Sequence, residues 1–259
     1  MKILAQTSND NYCPNIDNKL LHFFNLLYDA NNYATSKLKK CFTSNITKIN
    51  NINEIPKSSM DDKQFFPNEI QLYINNKSLY KFYFSCKIKK RILNIYFILF
   101  NKPDVNLLII NKQIKMICMW IFILSKYSSI KCSKQINMFV YFTPFIKKLP
   151  NNRLMPINTI NVNTGFTTGC KELTEIVLYR NEEWFKVFIH ETFHNFGLDF
   201  SDMNLYTINT KLKGIFNVNI EYNLYESYCE TWARIWNTIF YSYFTLSHVI
   251  NPDQSYFIS

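Results

Sequence analysis

The spacing of apolar residues predicts a helix near the amino terminus and a loop after it. In residues 19–41, apolar side chains recur every three or four positions, which is typical of an amphipathic α-helix. Residues 43–68 are rich in Asn, Ser and Lys and contain prolines, which favours a long loop or linker. We therefore expect residues 1–68 to form an N-terminal helix with an Asn-rich linker, followed by the main domain in residues 69–259.

Two β-rich segments and a strongly apolar segment follow in the middle of the chain. Residues 79–88 and 91–100 are separated by two lysines, which predicts a β-hairpin. Residues 105–127 favour a buried helix, although their β-branched content leaves a strand open. Residues 136–142 predict a further strand, which a proline two positions later ends.

The clearest pattern lies in the last third of the chain. Residues 175–179 read Glu-Ile-Val-Leu-Tyr and predict a strand. Asn181 then offers an N-cap for a helix that runs to Phe196, and Gly197 suits the left-handed residue that ends many helices. A second helix, dense in aromatic residues, is predicted for residues 224–246. This order of elements predicts an α+β fold.

The composition allows a sizeable core and a basic surface. Of the 259 residues, 47% are hydrophobic and 17% are aromatic, so wholesale disorder is not expected. The formal net charge is +10, which suits nucleic acid or an anionic membrane as a partner. The lysines occur in short, scattered runs, however, and this favours a solvated surface over a dedicated nucleic-acid face.

The cysteines and the apolar runs bear on location. Seven cysteines occur without a Cys-x-x-Cys pair, and the first ten residues do not resemble a secretory signal. We therefore expect free, mostly buried thiols and an intracellular, reducing compartment, either the cytoplasm or a viral particle. The apolar runs 92–100 and 116–124 are shorter than the roughly 20 residues of a transmembrane helix, so no membrane span is expected.

Residues 190–194 carry the motif that points most directly to chemistry. They read His-Glu-Thr-Phe-His, so on a helix His190 and His194 lie one turn apart and both imidazoles can reach one zinc ion. Glu191 is rotated by about 100° from His190, which places its carboxylate where it can activate a water molecule for hydrolysis. Only 4 histidines occur in the chain, which argues against two incidental histidines.

A catalytic zinc ion needs a third protein ligand, and three acids are candidates. Asp199 is one residue short of the third-ligand position in the metzincin motif that it resembles, and its position after the helix is more typical of a turn or cap residue. Glu226 and Glu230 lie one turn apart on the predicted C-terminal helix, among aromatic residues where a carboxylate needs a partner. One of these two can bind zinc while the other accepts a hydrogen bond from a ligand histidine.

This pair of acids gives the chain a resemblance to the HExxH zincins of the gluzincin type. In these metallopeptidases the third ligand is a Glu on a later helix, in the pattern Glu-x-x-[small]-[Asp/Glu], which Glu226-Ser-Tyr-Cys-Glu230 fits. The resemblance covers roughly residues 170–240. It implies Glu226 as the third zinc ligand and Glu230 as the acid behind a ligand histidine. It also implies a zincin-like mixed sheet with an active-site helix and a second, C-terminal ligand helix.

Anthrax-lethal-factor-like peptidases carry a similar Glu-Phe-Phe-Ala-Glu segment, but the present chain departs from them at one position. Those peptidases place a catalytic Tyr seven residues before the ligand Glu, where this chain has Asn219. Another group must then stabilise the negative charge that develops during hydrolysis. The candidates are Tyr222, Tyr225, Arg234 and His248.

Together these features predict a zinc-dependent peptidase that acts on a peptide or protein substrate. An extended peptide is expected to pair with a sheet edge formed by residues 175–179 or 160–168. Two alternatives stay open: a non-catalytic zincin-fold binding or packaging protein, and a basic nucleic-acid-binding protein with a structural zinc. A non-peptidase hydrolase such as a deformylase is a further alternative, although Cys170 lacks the Glu-Gly-Cys context of that family.

Overall fold

The computed structural model describes residues 18–41, 45–60, 64–102, 107–152, 154–216 and 222–250. The helices in these ranges are α1 (Asn18–Cys41), α2 (Asn68–Lys77), α3 (Leu107–Leu124), α4 (Thr159–Val162), α5 (Trp184–Asn195), α6 (Tyr206–Ile215) and α7 (Leu224–Ile250). The strands are β1 (Asn45–Lys48), β2 (Tyr80–Ile88), β3 (Arg91–Leu99), β4 (Gln135–Thr143), β5 (Gly165–Thr167) and β6 (Leu173–Arg180).

The six strands form one open, mixed sheet in the order β1-β2-β3-β4-β6-β5. Strands β2 and β3 form the predicted antiparallel hairpin, and β3, β4 and β6 run parallel to one another. The short strand β5 pairs antiparallel with β6 and forms one edge of the sheet. The expected α+β fold is therefore confirmed at the level of a mixed sheet with helices.

The main hydrophobic core lies between one face of the sheet and the four helices α1, α3, α5 and α7. A smaller core on the opposite face includes Ile70 and Ile74 of α2. The helix predicted for residues 105–127 is confirmed as α3, and the alternative of a strand there is wrong. Among the described residues, α3 is the one helix long and apolar enough to cross a membrane, but 61% of it is buried inside the fold. It is thus a core helix.

The segment predicted as a linker contributes to this core. Asn45–Lys48 forms β1, which pairs antiparallel with β2, and Ile46 packs against the main core. In α1, Leu27 and Ala30 are fully buried in the same core. The prediction of an uninterrupted loop is therefore wrong for these four residues, while the boundary predicted at residue 68 stays a prediction.

Helix α5 begins later than the sequence suggested. Its N-cap is Glu183, which lies in the left-handed region with φ 52°, so the prediction of Asn181 as the N-cap is wrong. The carboxylates of Glu182 and Glu183 instead accept hydrogen bonds from the backbone N–H and the ammonium of Lys147. These bonds hold the two acids in a turn between β6 and the helix.

The expectation of free thiols is wrong for two cysteines. Cys132 and Cys170 form a disulfide across 38 residues. They meet because β4 and β6 are parallel neighbours whose first residues, Gln135 and Leu173, lie side by side. The described cysteine side chains outside this disulfide are buried, as expected: Cys86, Cys118 and Cys229. Structural disulfides are rare in reducing compartments. This disulfide therefore removes the argument that the cysteines indicate a reducing compartment.

Candidate metal centre

Helix α5 separates a core face from a cleft face. The apolar residues of one face are buried in the main core: Phe185, Phe188, Ile189 and Phe193. On the same side, Thr192 Oγ1 accepts a hydrogen bond of 2.7 Å from Trp120 Nε1 of α3. The remaining face presents His190, Glu191 and His194 to an open cleft. The packing of α5 therefore fixes the direction of all three motif residues.

A turn at Gly197 brings the chain back toward the histidines. Gly197 has φ +62°, and a β-carbon there would lie 3.0 Å from Cys132 Sγ, so only glycine fits without strain. Its N–H donates to the carbonyl of His194 at 3.1 Å, which closes the helix as predicted. The returning chain carries Asp199 alongside His194.

Helix α7 crosses α5 at two small residues. Cys229 and Ala233 are both 0% exposed, and their small side chains let the two helices approach closely. Glu226 and Glu230 project from this part of α7 into the cleft beside the histidines. The structure thus brings together all five residues that the sequence assigned to the site.

Three side-chain atoms of this cluster converge on one point. His190 Nε2 lies 3.2 Å from His194 Nε2, and Glu226 Oε2 lies 3.1 Å from the first nitrogen and 3.5 Å from the second. Bonds of about 2.0–2.1 Å to a tetrahedral zinc ion place neighbouring ligand atoms about 3.4 Å apart. The three atoms therefore fit three corners of a tetrahedral metal site.

Asp199 supports the second histidine from behind. Its Oδ2 accepts a hydrogen bond of 2.6 Å from His194 Nδ1, which fixes the tautomer whose Nε2 lone pair faces the cluster. This bond shows that the interpretation of Asp199 as only a turn residue is wrong. The turn at Gly197 brings Asp199 back beside the helix. The spacing His194-x-x-Gly-x-Asp199 was the available signal.

Glu230 lies behind the first histidine, as the resemblance implied. Its Oε2 is 3.5 Å from His190 Nδ1, a distance longer than a good hydrogen bond. Its Oε1 accepts hydrogen bonds from Lys186 Nζ at 3.0 Å and Arg234 Nε at 2.9 Å. These two cations hold the carboxylate at the back of the imidazole.

A second group of possible ligands shares His194 with the first. Asp199, His194 and Cys229 also bring three ligand atoms within 4.8 Å of one another. Burial, reinforced by the charges of Asp199, Glu226 and Glu191, raises the pKa of the Cys229 thiol to about 12. Because the thiolate is the metal-binding form of cysteine, this group is less suited to a metal ion than the first.

The two histidines and Glu226 shift one another's pKa values. Burial lowers the pKa of His190, but the carboxylates of Glu226 and Glu230 beside its two ring nitrogens and the charge of Glu191 outweigh it and raise that pKa to about 10. Hydrogen bonds with His190 and then His194 lower the pKa of Glu226 to about 2. The cluster therefore favours positive charge beside its carboxylates, and a divalent cation can take the place of the imidazole protons.

Glu191 lies in the cleft next to both histidines. Burial raises the pKa of its carboxyl group, although the nearby charges of His190 and His194 act in the opposite direction. A carboxyl group with a raised pKa is suited to accept and then release a proton near neutral pH. Its position and environment therefore match the role of a general base.

The residues considered as stabilisers of the negative charge that develops during hydrolysis do not share one location. Tyr225 and Arg234 line the cleft, and the Tyr225 ring packs edge-on against His194, with 6.2 Å between centroids. The Tyr222 hydroxyl is instead buried. Asn219 and the side chain of His248 lie outside the described residues. Of the three candidates whose side chains are described, two thus line the cleft.

The cleft runs along the open edge of the sheet. Its volume is about 1150 Å³, and the three residues of β5 form part of its wall. Asn195 Nδ2 donates to Thr167 Oγ1 at 3.3 Å, which links the end of α5 to this strand. Of the two segments expected to supply the edge, residues 160–168 do so, while residues 175–179 lie in β6 inside the sheet.

Comparison with known proteins assigns no family to this chain. No protein-family model matches it, and no curated protein or solved structure matches it either. A functional proposal must therefore rest on the residues of the cleft and their geometry.

Proposed function

We propose that this protein is a zinc-dependent peptidase of the gluzincin type, with His190, His194 and Glu226 as zinc ligands and Glu191 as the general base. The observation that carries this proposal is the convergence of three ligand atoms within 3.1–3.5 Å of one another. Three protein ligands leave a fourth position for water, which is typical of catalytic zinc, whereas structural zinc has four protein ligands. This favours hydrolysis over a purely structural metal.

The residues around the cluster suit peptide hydrolysis. Bound zinc supplies a Lewis acid and lowers the pKa of a water molecule. The Glu191 carboxylate accepts a proton from the attacking water and delivers it to the amine nitrogen as the C–N bond breaks. Asp199 orients the imidazole of His194 through its hydrogen bond, and the Glu230 carboxylate lies behind His190. Tyr225 and Arg234 are the cleft residues that can donate hydrogen bonds to the oxyanion.

The edge strand supports an extended peptide as the substrate. Within β5 and its flanks, the backbone groups of Thr164 and Thr168 bond to β6. Because bonded and non-bonded positions alternate in an antiparallel pair, the N–H and C=O groups of Gly165 and Thr167 point away from β6, and both residues line the cleft. A peptide that adds as a further strand can bond to these groups. The cleft also exceeds the roughly 300–1,000 Å³ of most small-ligand pockets.

The test is the substitution Glu191→Gln in the full chain, with Glu69→Gln on α2 as an exposed control. Zinc content is measured by elemental analysis, and hydrolysis is measured by mass spectrometry with a diverse peptide library. We expect both variants to retain zinc, and Glu191→Gln to lose roughly 100-fold to 10,000-fold in rate. Full activity of Glu191→Gln would exclude this role for Glu191. A zinc-loaded wild-type protein that cleaves no peptide would instead favour the non-catalytic alternative.

A further inference from the structure

The loop of residues 144–158 between β4 and α4 has an unusually apolar surface. Lys147, near its start, lines the cleft. The large aliphatic side chains of the loop are exposed: Ile146, Leu149, Leu154, Met155 and Ile157. Leu154 is 91% exposed and Leu149 is 74% exposed. Exposed apolar side chains concentrated in one segment mark an interaction site more often than a solvated surface.

The fold holds this loop in place at both ends. The backbone N–H of Lys147 donates to Glu182 Oε2 at 2.6 Å, and Asn161 Nδ2 donates to the carbonyl of Lys148 at 2.6 Å. Asn158 caps α4 where the loop ends. Two prolines between these anchors restrict the backbone further. The aliphatic side chains are therefore presented to solvent by a tethered backbone.

The charge of the surrounding sequence indicates the partner. Residues 105–171 contain nine Lys or Arg residues and no Asp or Glu, in a chain with a net charge of +10. Two of these nine, Lys126 and Lys134, pair with acids from outside the segment. Three of these cations lie in the loop: Lys147, Lys148 and Arg153. Lys147 pairs with Glu183, whereas Lys148 is exposed. A strongly basic stretch with exposed aliphatic side chains complements a surface that is both anionic and apolar.

We propose that this loop docks the protein on an anionic lipid membrane. Its aliphatic side chains enter the interface, and its basic residues lie at the lipid headgroups. Nucleic acid fits less well, because single-stranded recognition uses aromatic side chains for stacking, and the one aromatic residue of the loop, Phe145, packs against Tyr73 instead. Docking does not depend on peptidase activity, but it would hold the cleft close to the membrane surface, since Lys147 belongs to both.

Flotation of the full chain with lipid vesicles tests this proposal. The vesicles are phosphatidylcholine alone or phosphatidylcholine with about one third phosphatidylserine. We expect binding to the anionic vesicles that weakens as salt is added, and at least about tenfold weaker binding by the double variant Leu149→Ser, Leu154→Ser. The control is Leu72→Ser on α2, which changes a leucine that is 60% exposed elsewhere and should bind like the wild type.

Three results would overturn the proposal. One is the absence of wild-type binding to the anionic vesicles, and another is equal binding by the wild type and the double variant. The third is a wild-type protein that ignores vesicles but self-associates in sedimentation velocity, with the association lost in the double variant. That result would assign the loop to a contact with a second protein. Circular dichroism of each variant checks that the fold is retained.

Discussion

At the scale of single residues, the hydrogen bond between Asp199 and His194 offers a direct test of the cluster. The substitution Asp199→Asn weakens the acceptor that fixes the imidazole, so we expect zinc affinity to fall by roughly 10-fold to 100-fold. The control is Asp202→Asn, which changes an exposed acid of the same cleft. Competition with a fluorescent chelator measures both affinities. Equal affinity in the two variants would mean that Asp199 does not support the site.

The protonation of the histidines predicts how zinc binding depends on pH. The pKa of His190 is raised to about 10 and that of His194 is also raised, so in the metal-free protein both imidazoles hold a proton more strongly than free imidazole does. Zinc binds only the neutral ring, so binding should release protons and should weaken as the pH falls. Calorimetry in buffers with different ionisation enthalpies counts these protons. Proton-independent binding would contradict the proposed ligands.

The residue pattern predicted most of this cluster but not all of it. Helical spacing alone places His190 and His194 on one face, and burial among aromatic residues indicates that Glu226 needs a partner. The spacing His194-x-x-Gly-x-Asp199 was a signal for Asp199 but did not establish its role, because that role depends on how sharply Gly197 turns the chain. The prediction of Asn181 as the N-cap of α5 was wrong for a similar reason. The turn before the helix is held by hydrogen bonds from Lys147, which is distant in sequence.

At the scale of secondary structure, the end of α5 depends on Gly197. The substitution Gly197→Ala places a β-carbon against the disulfide at a left-handed residue, and we expect it to lower the free energy of unfolding by about 1–3 kcal/mol. Gly214→Ala is the matched control, because nothing lies near a β-carbon there and helix α6 gains from alanine by roughly 0.5–1 kcal/mol. Urea denaturation measures both. Equal effects would show that the turn tolerates a side chain.

Hydrophobic periodicity was a good guide to the long elements and a poor guide to the short ones. The helices α1, α3 and α7 and the β2–β3 hairpin each contain enough repeats of their pattern to be recognised. Strand β1 has four residues, Asn-Ile-Thr-Lys, and only its pairing with β2 defines it. Strand β5 has three residues and is likewise defined by its neighbour.

At the scale of the whole molecule, the order of strands explains the features that local patterns did not reveal. The chain inserts β6 between β4 and β5, so the last strand in sequence is not the edge strand. The same order places Cys132 near Cys170, although 38 residues separate them. Such contacts depend on tertiary pairing and are invisible to a window of neighbouring residues.

The two helices that carry the metal centre, α5 and α7, are separated in sequence by a long connection that includes α6. Only the whole fold brings them together. The most direct test is the zinc content and affinity of purified wild-type protein, Glu226→Gln and the exposed control Glu69→Gln. We predict one zinc ion per chain in the wild type and the control, and an affinity at least about 100-fold lower in Glu226→Gln. A wild-type protein that binds no zinc, or a Glu226→Gln variant that binds it equally well, would contradict the proposed centre.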